Sequence, residues 1–214
     1  MNTHKKRFTF LKSKGLNFNK VLDIGAYEGH WTIMFKQIFP TSHVLMIEAN
    51  TEKEKILKPI GDYKMALLGS SDHKNLEYYK CTNGIPTGNS IYQENTKFKF
   101  KPEKRTTTTL PTLLNSNEGY DLIKMDVQGS ELDIIKGALP IVKNTDFLLL
   151  ELQLADIEVL IERAVGNSES QPQAIREKLK QQIETLLEVV PALPEERITQ
   201  EAVMLMIKVD VREE

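Results

Sequence analysis

Three carboxylates stand at the ends of short apolar runs in this chain, where the carboxyl end of a buried strand is expected. Asp23 follows Val21-Leu22, Glu48 follows Val44 to Ile47, and Asp126 follows Leu122 to Met125. The carboxyl ends of parallel strands meet at one edge of a sheet, which is where α/β proteins bind their ligands. We therefore expect a ligand at the carboxyl end of the first of these strands.

The loop after Asp23 contains the small residues Gly25, Ala26 and Gly29. Glycine lets a backbone turn sharply and approach a ligand closely. The spacing is G-x-x-x-G rather than the G-x-G-x-x-G of dinucleotide sites, and the neighbouring Asp23 and Glu28 would repel a pyrophosphate. A cofactor with an adenosine, a sulfonium cation and no phosphate suits this loop better, which predicts S-adenosylmethionine.

Glu48 lies about 20 residues beyond the loop, where such folds place an acid that binds both ribose hydroxyls. It is our candidate for the ribose site. An acid at the end of an apolar strand is also typical of a strand that simply meets solvent, so the motif alone leaves both interpretations open.

The elements that must position these residues follow a βα rhythm. Apolar runs predict strands at residues 21–24, 44–47, 63–68, 120–126 and 147–152, and amphipathic segments predict helices after several of them. This order predicts a doubly wound, mostly parallel α/β sheet. Ala66 in the third run is expected near the adenine, although residues there are also typical of core.

Residues 75–109 break the rhythm and predict antiparallel strands around a Gly- and Asn-rich loop. A long irregular stretch inside a compact domain is often functional. A lid over the cofactor and a plain surface loop are equally compatible with this composition.

The run from Asp121 to Ala138, which contains Asp126, Gln128 and Gly129, resembles the hallmark of the FkbM family of S-adenosylmethionine-dependent methyltransferases. Further segments fall where that family has comparable ones: residues 21–29, 47–50, 87–92 and 148–153. The resemblance covers residues 17–154 and implies a class I methyltransferase (Rossmann-like) sheet. It also implies methylation of a hydroxyl on a sugar or polyketide-like small molecule.

Carried over by position, Asp23, Gly25, Gly29 and Glu48 are expected in the cofactor shell. Asp126 is expected to face the transferred methyl as a catalytic residue that accepts a proton or orients the acceptor hydroxyl or the cofactor amine. A loop-capping role for Asp126 is the alternative. Gln128 is a further catalytic candidate that orients the substrate.

A metal-assisted variant has less support. Asp126 and Glu151 end neighbouring strands, but no third ligand can be placed and the four histidines are scattered. We predict no metal.

Composition restricts the class of protein. The net charge of -2 gives no global electrostatic basis for nucleic-acid binding, and no apolar run is long enough to span a bilayer. A single cysteine, Cys81, suits a reducing cytosol. We expect a cytoplasmic protein whose partner is a small-molecule hydroxyl acceptor. The basic stretch at residues 1–20 is interpreted as a short helix within a solvated, flexible end.

The chain beyond residue 154 has a different pattern. We divide it into a methyltransferase-like domain at 1–154, a linker at 155–173 and a helical tail at 174–214. The tail is similar to a fragment of the α-helical YicC family, whose members are associated with RNA cleavage. Proline and acids at 194–196 predict a second helix that includes residues 203–211, with a late strand as the alternative.

On this interpretation the sheet is truncated, and unless the tail covers it the fifth strand is an exposed edge through which chains could associate. The helical tail is a second candidate surface for oligomer formation. The alternative function is a non-catalytic helical interaction module, with RNA as one partner to consider.

Overall fold

The computed structural model describes residues 3–83, 89–91, 99–152 and 203–208, which form an α/β domain with two sheets. The larger sheet has the strand order β3-β2-β1-β7-β8-β9. Its strands are β1 (Lys20–Ile24), β2 (His43–Glu48), β3 (Tyr63–Met65), β7 (Leu122–Met125), β8 (Phe147–Leu152) and β9 (Val203–Lys208). The smaller sheet contains β4 (Leu67–Leu68), β5 (Asn75–Cys81) and β6 (Phe100–Thr108).

The predicted doubly wound fold is confirmed. Strands β1, β2, β3, β7 and β8 pair in parallel, and β1 lies between β2 and β7. The helices are α1 (Thr3–Ser13), α2 (His30–Ile38), α3 (Glu54–Leu57), α4 (Leu110–Leu114), α5 (Glu131–Gly137) and α6 (Leu139–Val142), with a 3-10 turn at Thr51–Lys53. The central strands are buried on both faces, which explains why their sequences are apolar runs without alternation.

The predicted third strand is divided between the two sheets. Tyr63–Met65 pairs with β2, whereas Leu67–Leu68 pairs with β6 of the smaller sheet. Ala66 is the residue between them, and its N–H donates to the carbonyl oxygen of Glu48 at 2.9 Å. The smaller sheet is thereby joined to the larger one beside the carboxyl end of β2.

The last strand corrects the prediction of a helix at 203–211. Residues Val203–Lys208 pair antiparallel with β8 over its whole length, from Phe147↔Lys208 to Leu152↔Val203. A continuous apolar run suits a strand, and an available strand edge outweighs local helix-start signals. Residues 203–208 of the tail therefore cover the edge of β8, which is the case that the expectation of an exposed edge had set aside.

The N-terminal segment also corrects an expectation. The helix is present as predicted, but it is not a solvated end: the Phe8 side chain is buried and meets Phe35 of α2 edge to face, with ring centroids 5.0 Å apart. Edge-to-face contact is a favourable arrangement of aromatic rings. Helix α1 is therefore part of the core, while its lysines remain exposed.

No helix in the described ranges is long and apolar enough to cross a membrane. The linker at 155–173 and most of the 174–214 tail lie outside the described residues. The similarity of the tail to the YicC family therefore stays a prediction.

Candidate cofactor and methyl-transfer site

A cleft opens at the carboxyl ends of β1, β2 and β7, under the smaller sheet. Five of the eight sequence-predicted site residues line it: Gly25, Glu48, Ala66, Asp126 and Gln128. The gathering of these residues follows from the parallel register, because β1 pairs with both β2 and β7. Asp23, Ala26 and Gly29 do not line the cleft.

Glu48 is held rigidly at the end of β2. Its Oε2 accepts the N–H of Tyr27 at 2.7 Å and its Oε1 accepts the N–H of Asn50 at 2.7 Å. Burial raises the pKa of Glu48, while these two backbone donors act in the opposite direction. Each carboxylate oxygen keeps further acceptor capacity, so Glu48 can receive hydroxyl donors from a ligand in the cleft.

The first loop is shaped by two glycines with positive φ. Gly25 has φ +74°, and a Cβ there would lie 1.9 Å from the carbonyl oxygen of Asp126. Gly29 also has φ +74°, begins α2, and faces Ile60 on the far side of the loop. Gly25 is required by the close approach of the loops after β1 and β7, and Gly29 by the turn into the helix.

Asp23 lies below the loop, fully buried. Its Oδ2 accepts the hydroxyl of Thr32 at 2.7 Å, and its Oδ1 is 3.1 Å from Nζ of Lys124. Ala26 is buried beside Met46 and Leu57. Neither residue lines the cleft, and their contact with the cofactor stays a prediction.

Asp126 follows β7, with its side chain 29% exposed at the cleft. Its Oδ1 accepts Nε2 of Gln128 at 2.8 Å. Gln128 has φ +56°, a conformation that is uncommon for residues other than glycine. This turn places the amide of Gln128 against the carboxylate, which remains reachable from the cleft.

Segments of the smaller sheet cover the cleft. Tyr78 of β5 lines it and is buried, and burial raises the pKa of its phenol. Ser90 is buried, and its hydroxyl donates to the carbonyl oxygen of Gln128 at 2.7 Å. For residues 75–109 the sequence left two interpretations, a lid over the cofactor and a plain surface loop, and the described part favours the lid. Residues 84–88 and 92–98 lie outside the described ranges.

Sequence reasoning missed several lining residues. They include Tyr27, Tyr78, Ser130 and Ile134. Tyr27 belongs to the glycine loop, so its place beside the cleft could have been inferred from the sequence. Tyr78 lies in a strand that alternates only weakly, and nothing local distinguishes it from its neighbour Tyr79.

A serine precedes α5 and a glycine is its last residue. Ser130 precedes α5 but makes no side-chain cap hydrogen bond. Gly137 does not close α5 through a left-handed turn; a Cβ there would lie 2.3 Å from the carbonyl oxygen of Gly69. The glycine is therefore required by the packing of α5 against the loop after β4.

No group of three or more potential metal-ligating side chains occurs in the described part of the chain. Glu151 of β8 does lie near Asp126, and burial followed by the Asp126 charge raises the pKa of Glu151. The cation beside these carboxylates is the ammonium of Lys124, whose Nζ is 3.8 Å from Oδ2 of Asp126.

Comparison with known proteins adds a family match. Residues 23–183 match the family model of the methyltransferase FkbM domain. This region extends beyond residue 154, where the resemblance recognised in the sequence ends. No curated protein matches the chain.

Among solved structures, the chain is similar to methyltransferase FkbM from Methylobacillus flagellatus KT, with a TM-score of 0.47 and 17% identity. The match covers 73% of this chain and 41% of that one, so the chain spans less than half of that protein. It is also similar to an O-methyltransferase from Bacillus cereus in complex with SAH, with a TM-score of 0.44 and 13% identity, over 96% of this chain and 80% of that one.

Proposed function

The chain belongs to the FkbM methyltransferase family, whose cofactor is S-adenosylmethionine, and on that premise we propose that it methylates a hydroxyl group of a sugar or another small molecule. The observation that carries the proposal is one cleft lined by both Glu48 and Asp126. The first suits the ribose end of the cofactor, and the second suits the acceptor hydroxyl.

The chemistry of the residues that line the cleft supports this proposal. Glu48 presents a fixed carboxylate for two ribose hydroxyls, because the N–H groups of Tyr27 and Asn50 hold its two oxygens. Ala66, Leu68 and Ile134 offer an apolar wall for the adenine ring. The close contact of Gly25 with the Asp126 backbone joins the cofactor loop to the methyl-transfer side of the cleft.

When bound, S-adenosylmethionine supplies an electrophilic methyl group on a sulfur that is a good leaving group. The task left to the protein is to align the acceptor oxygen and to receive its proton as the new carbon–oxygen bond forms. We assign this role to Asp126, and its position in the lining of the cleft supports the assignment. Gln128 orients Asp126 by donating to Oδ1.

The first experiment is calorimetric titration of the folded chain with S-adenosylhomocysteine. We expect saturable binding by the wild type and weaker binding by Glu48→Gln, whose amide nitrogen cannot accept a hydrogen bond from a ribose hydroxyl. Loss of one ligand hydrogen bond to a charged group costs about 1.5–3 kcal/mol, which corresponds to roughly a 10- to 150-fold higher Kd.

Glu54→Gln is the matched control, because Glu54 is an exposed carboxylate that accepts the Tyr63 hydroxyl outside the cleft. It should bind like the wild type. Absence of binding by a folded wild type would refute the proposal. Once binding is established, a panel of monosaccharides incubated with S-adenosylmethionine should yield an O-methyl ether detectable by NMR.

A further inference from the structure

Lys124 is a lysine in the centre of a buried sheet. It belongs to β7, between β1 and β8, and its side chain is only 4% exposed. Such strands are normally apolar throughout, and leucine or methionine would fill this space without a buried charge. A buried ammonium at this position must be stabilised by the groups that it contacts.

The ammonium contacts three groups that matter for the cleft. Nζ lies 3.1 Å from Oδ1 of Asp23, 3.1 Å from the carbonyl oxygen of Gly25 and 3.8 Å from Oδ2 of Asp126. The register Asp23↔Lys124 places the first two partners beside it, and Asp126 is two residues further along. The Lys124 ammonium thus contacts Asp23 beside the glycine loop, Gly25 within that loop and Asp126 at the methyl-transfer side of the cleft.

The contacts keep this lysine charged. Burial alone would lower the pKa of Lys124, but Asp23 and Asp126 outweigh burial and the pKa is raised. An ammonium has three donors and no acceptor, so it can act on several oxygens at once from a fixed position. Divalent cations organise carboxylates and carbonyl oxygens in a comparable way.

We propose that Lys124 is a positioning residue that serves as the resident cation of the site, fixing the Gly25 carbonyl and the Asp126 carboxylate for cofactor binding and methyl transfer. The inference deepens the proposed function and rests on it. Lys124 does not line the cleft, so it acts through the loop and through Asp126.

The titratable and charged groups that interact with the ammonium are Asp23 of β1, Glu48 of β2, Asp126, Glu151 of β8 and His4 of α1. Burial and the Asp126 charge raise the pKa of Glu151, and Lys124 opposes them. A protonated Glu151 donates to Asp126 and would occupy the carboxylate that receives the acceptor proton. Because Lys124 opposes the rise in the pKa of Glu151, it also narrows the pH range in which a protonated Glu151 occupies the Asp126 carboxylate.

The test is the double variant Asp23→Asn/Lys124→Met. Removing Lys124 alone would leave Asp23 as a buried unpaired charge, which is strongly destabilising; neutralising both partners is often nearly neutral for stability. Asparagine keeps an oxygen for the Thr32 hydroxyl. Lys20→Met is the control, because Lys20 pairs with Glu118 at the opposite end of β1.

We expect the double variant to melt near the wild type but to bind S-adenosylhomocysteine about 10-fold or more weakly, since a Gly25 loop that is no longer fixed must be ordered when the ligand binds. Lys20→Met should bind like the wild type. Mg²⁺ or EDTA should not change wild-type affinity. Unchanged affinity in a folded double variant, or wild-type affinity that requires Mg²⁺, would overturn the inference.

A pH profile separates positioning from a purely structural role. With the monosaccharide that is methylated fastest, the acid limb of the double variant should move to higher pH, because the Lys124 effect on the Glu151 pKa exceeds that of Asp23. An acid limb at the wild-type pH would count against the inference. If the wild type itself does not bind S-adenosylhomocysteine, the proposed function has failed and not this inference alone.

Discussion

Replacing Gly25 by alanine tests the close approach of the loops after β1 and β7. The new Cβ would lie 1.9 Å from the carbonyl oxygen of Asp126 and 2.8 Å from its carbonyl carbon. Both atoms are backbone, so they cannot move aside as a side chain would. The φ of +74° adds a second penalty, because L-residues avoid the left-handed region.

Two other glycines separate these penalties. Gly15 has φ +87° but no atom within 4 Å of the position that an added methyl group would take, and Gly61 has open space without a positive φ. The left-handed conformation costs about 1–2 kcal/mol. Overpacking adds about 1–3 kcal/mol, which brings Gly25→Ala to roughly 2–5 kcal/mol of lost stability. Gly61→Ala should be neutral or stabilising by about 0.4–1 kcal/mol.

Thermal unfolding followed by circular dichroism measures all three variants. For a chain of this size, 1 kcal/mol shifts Tm by about 2–4 °C, so Gly25→Ala should melt roughly 4–20 °C lower than the wild type. Gly15→Ala should fall only by about 2–8 °C. Any folded Gly25→Ala should also bind S-adenosylhomocysteine poorly. Equal melting temperatures for Gly25→Ala and Gly15→Ala would refute the contact between the two loops.

Three further predictions concern other parts of the fold. Phe8→Ala should lose about 3–5 kcal/mol in urea unfolding because its ring is buried, whereas Phe10→Ala, at 59% exposed, should lose far less; equal losses would contradict the docking of α1. Truncation after residue 202 removes β9 and should cause association of chains through β8, visible by light scattering; a monomeric product would argue against the β8–β9 pairing. Burial lowers the pKa of His4 below its usual 6.5, so the unfolded chain binds more protons and stability should fall as pH drops below that value; His4→Gln should flatten this dependence, and an unchanged slope would exclude His4 as its source.

The placement of Gly25 and of Glu48 at the cleft could be predicted because their signals are local. Gly25 follows β1 directly and has the positive φ that favours glycine. Glu48 is the last residue of the apolar strand β2. The parallel order of the strands then brings Asp126 to the same cleft without further information. Which of these residues touch the cofactor directly remains a prediction for every one of them.

Features that depend on distant partners could not be predicted in the same way. Lys124 interrupts an apolar strand in the sequence, and its significance appears only when Asp23 and Gly25 are beside it. The strand at 203–208 carried helix-start signals upstream, and only the free edge of β8 decides its conformation. Phe8 lies among lysines, so its burial could not be inferred from composition.

The contact between Lys124 and Gly25 has a kinetic consequence, since it joins residues 99 positions apart. Strands β1, β2 and β3 can pair early because short connections join them. The sheet remains incomplete beside β1 until β7 has formed and paired with it. Contacts of such separation close slowly. The glycine loop therefore reaches its final shape late in folding, and binding of S-adenosylhomocysteine during refolding should report the arrival of β7 rather than the first collapse of the chain.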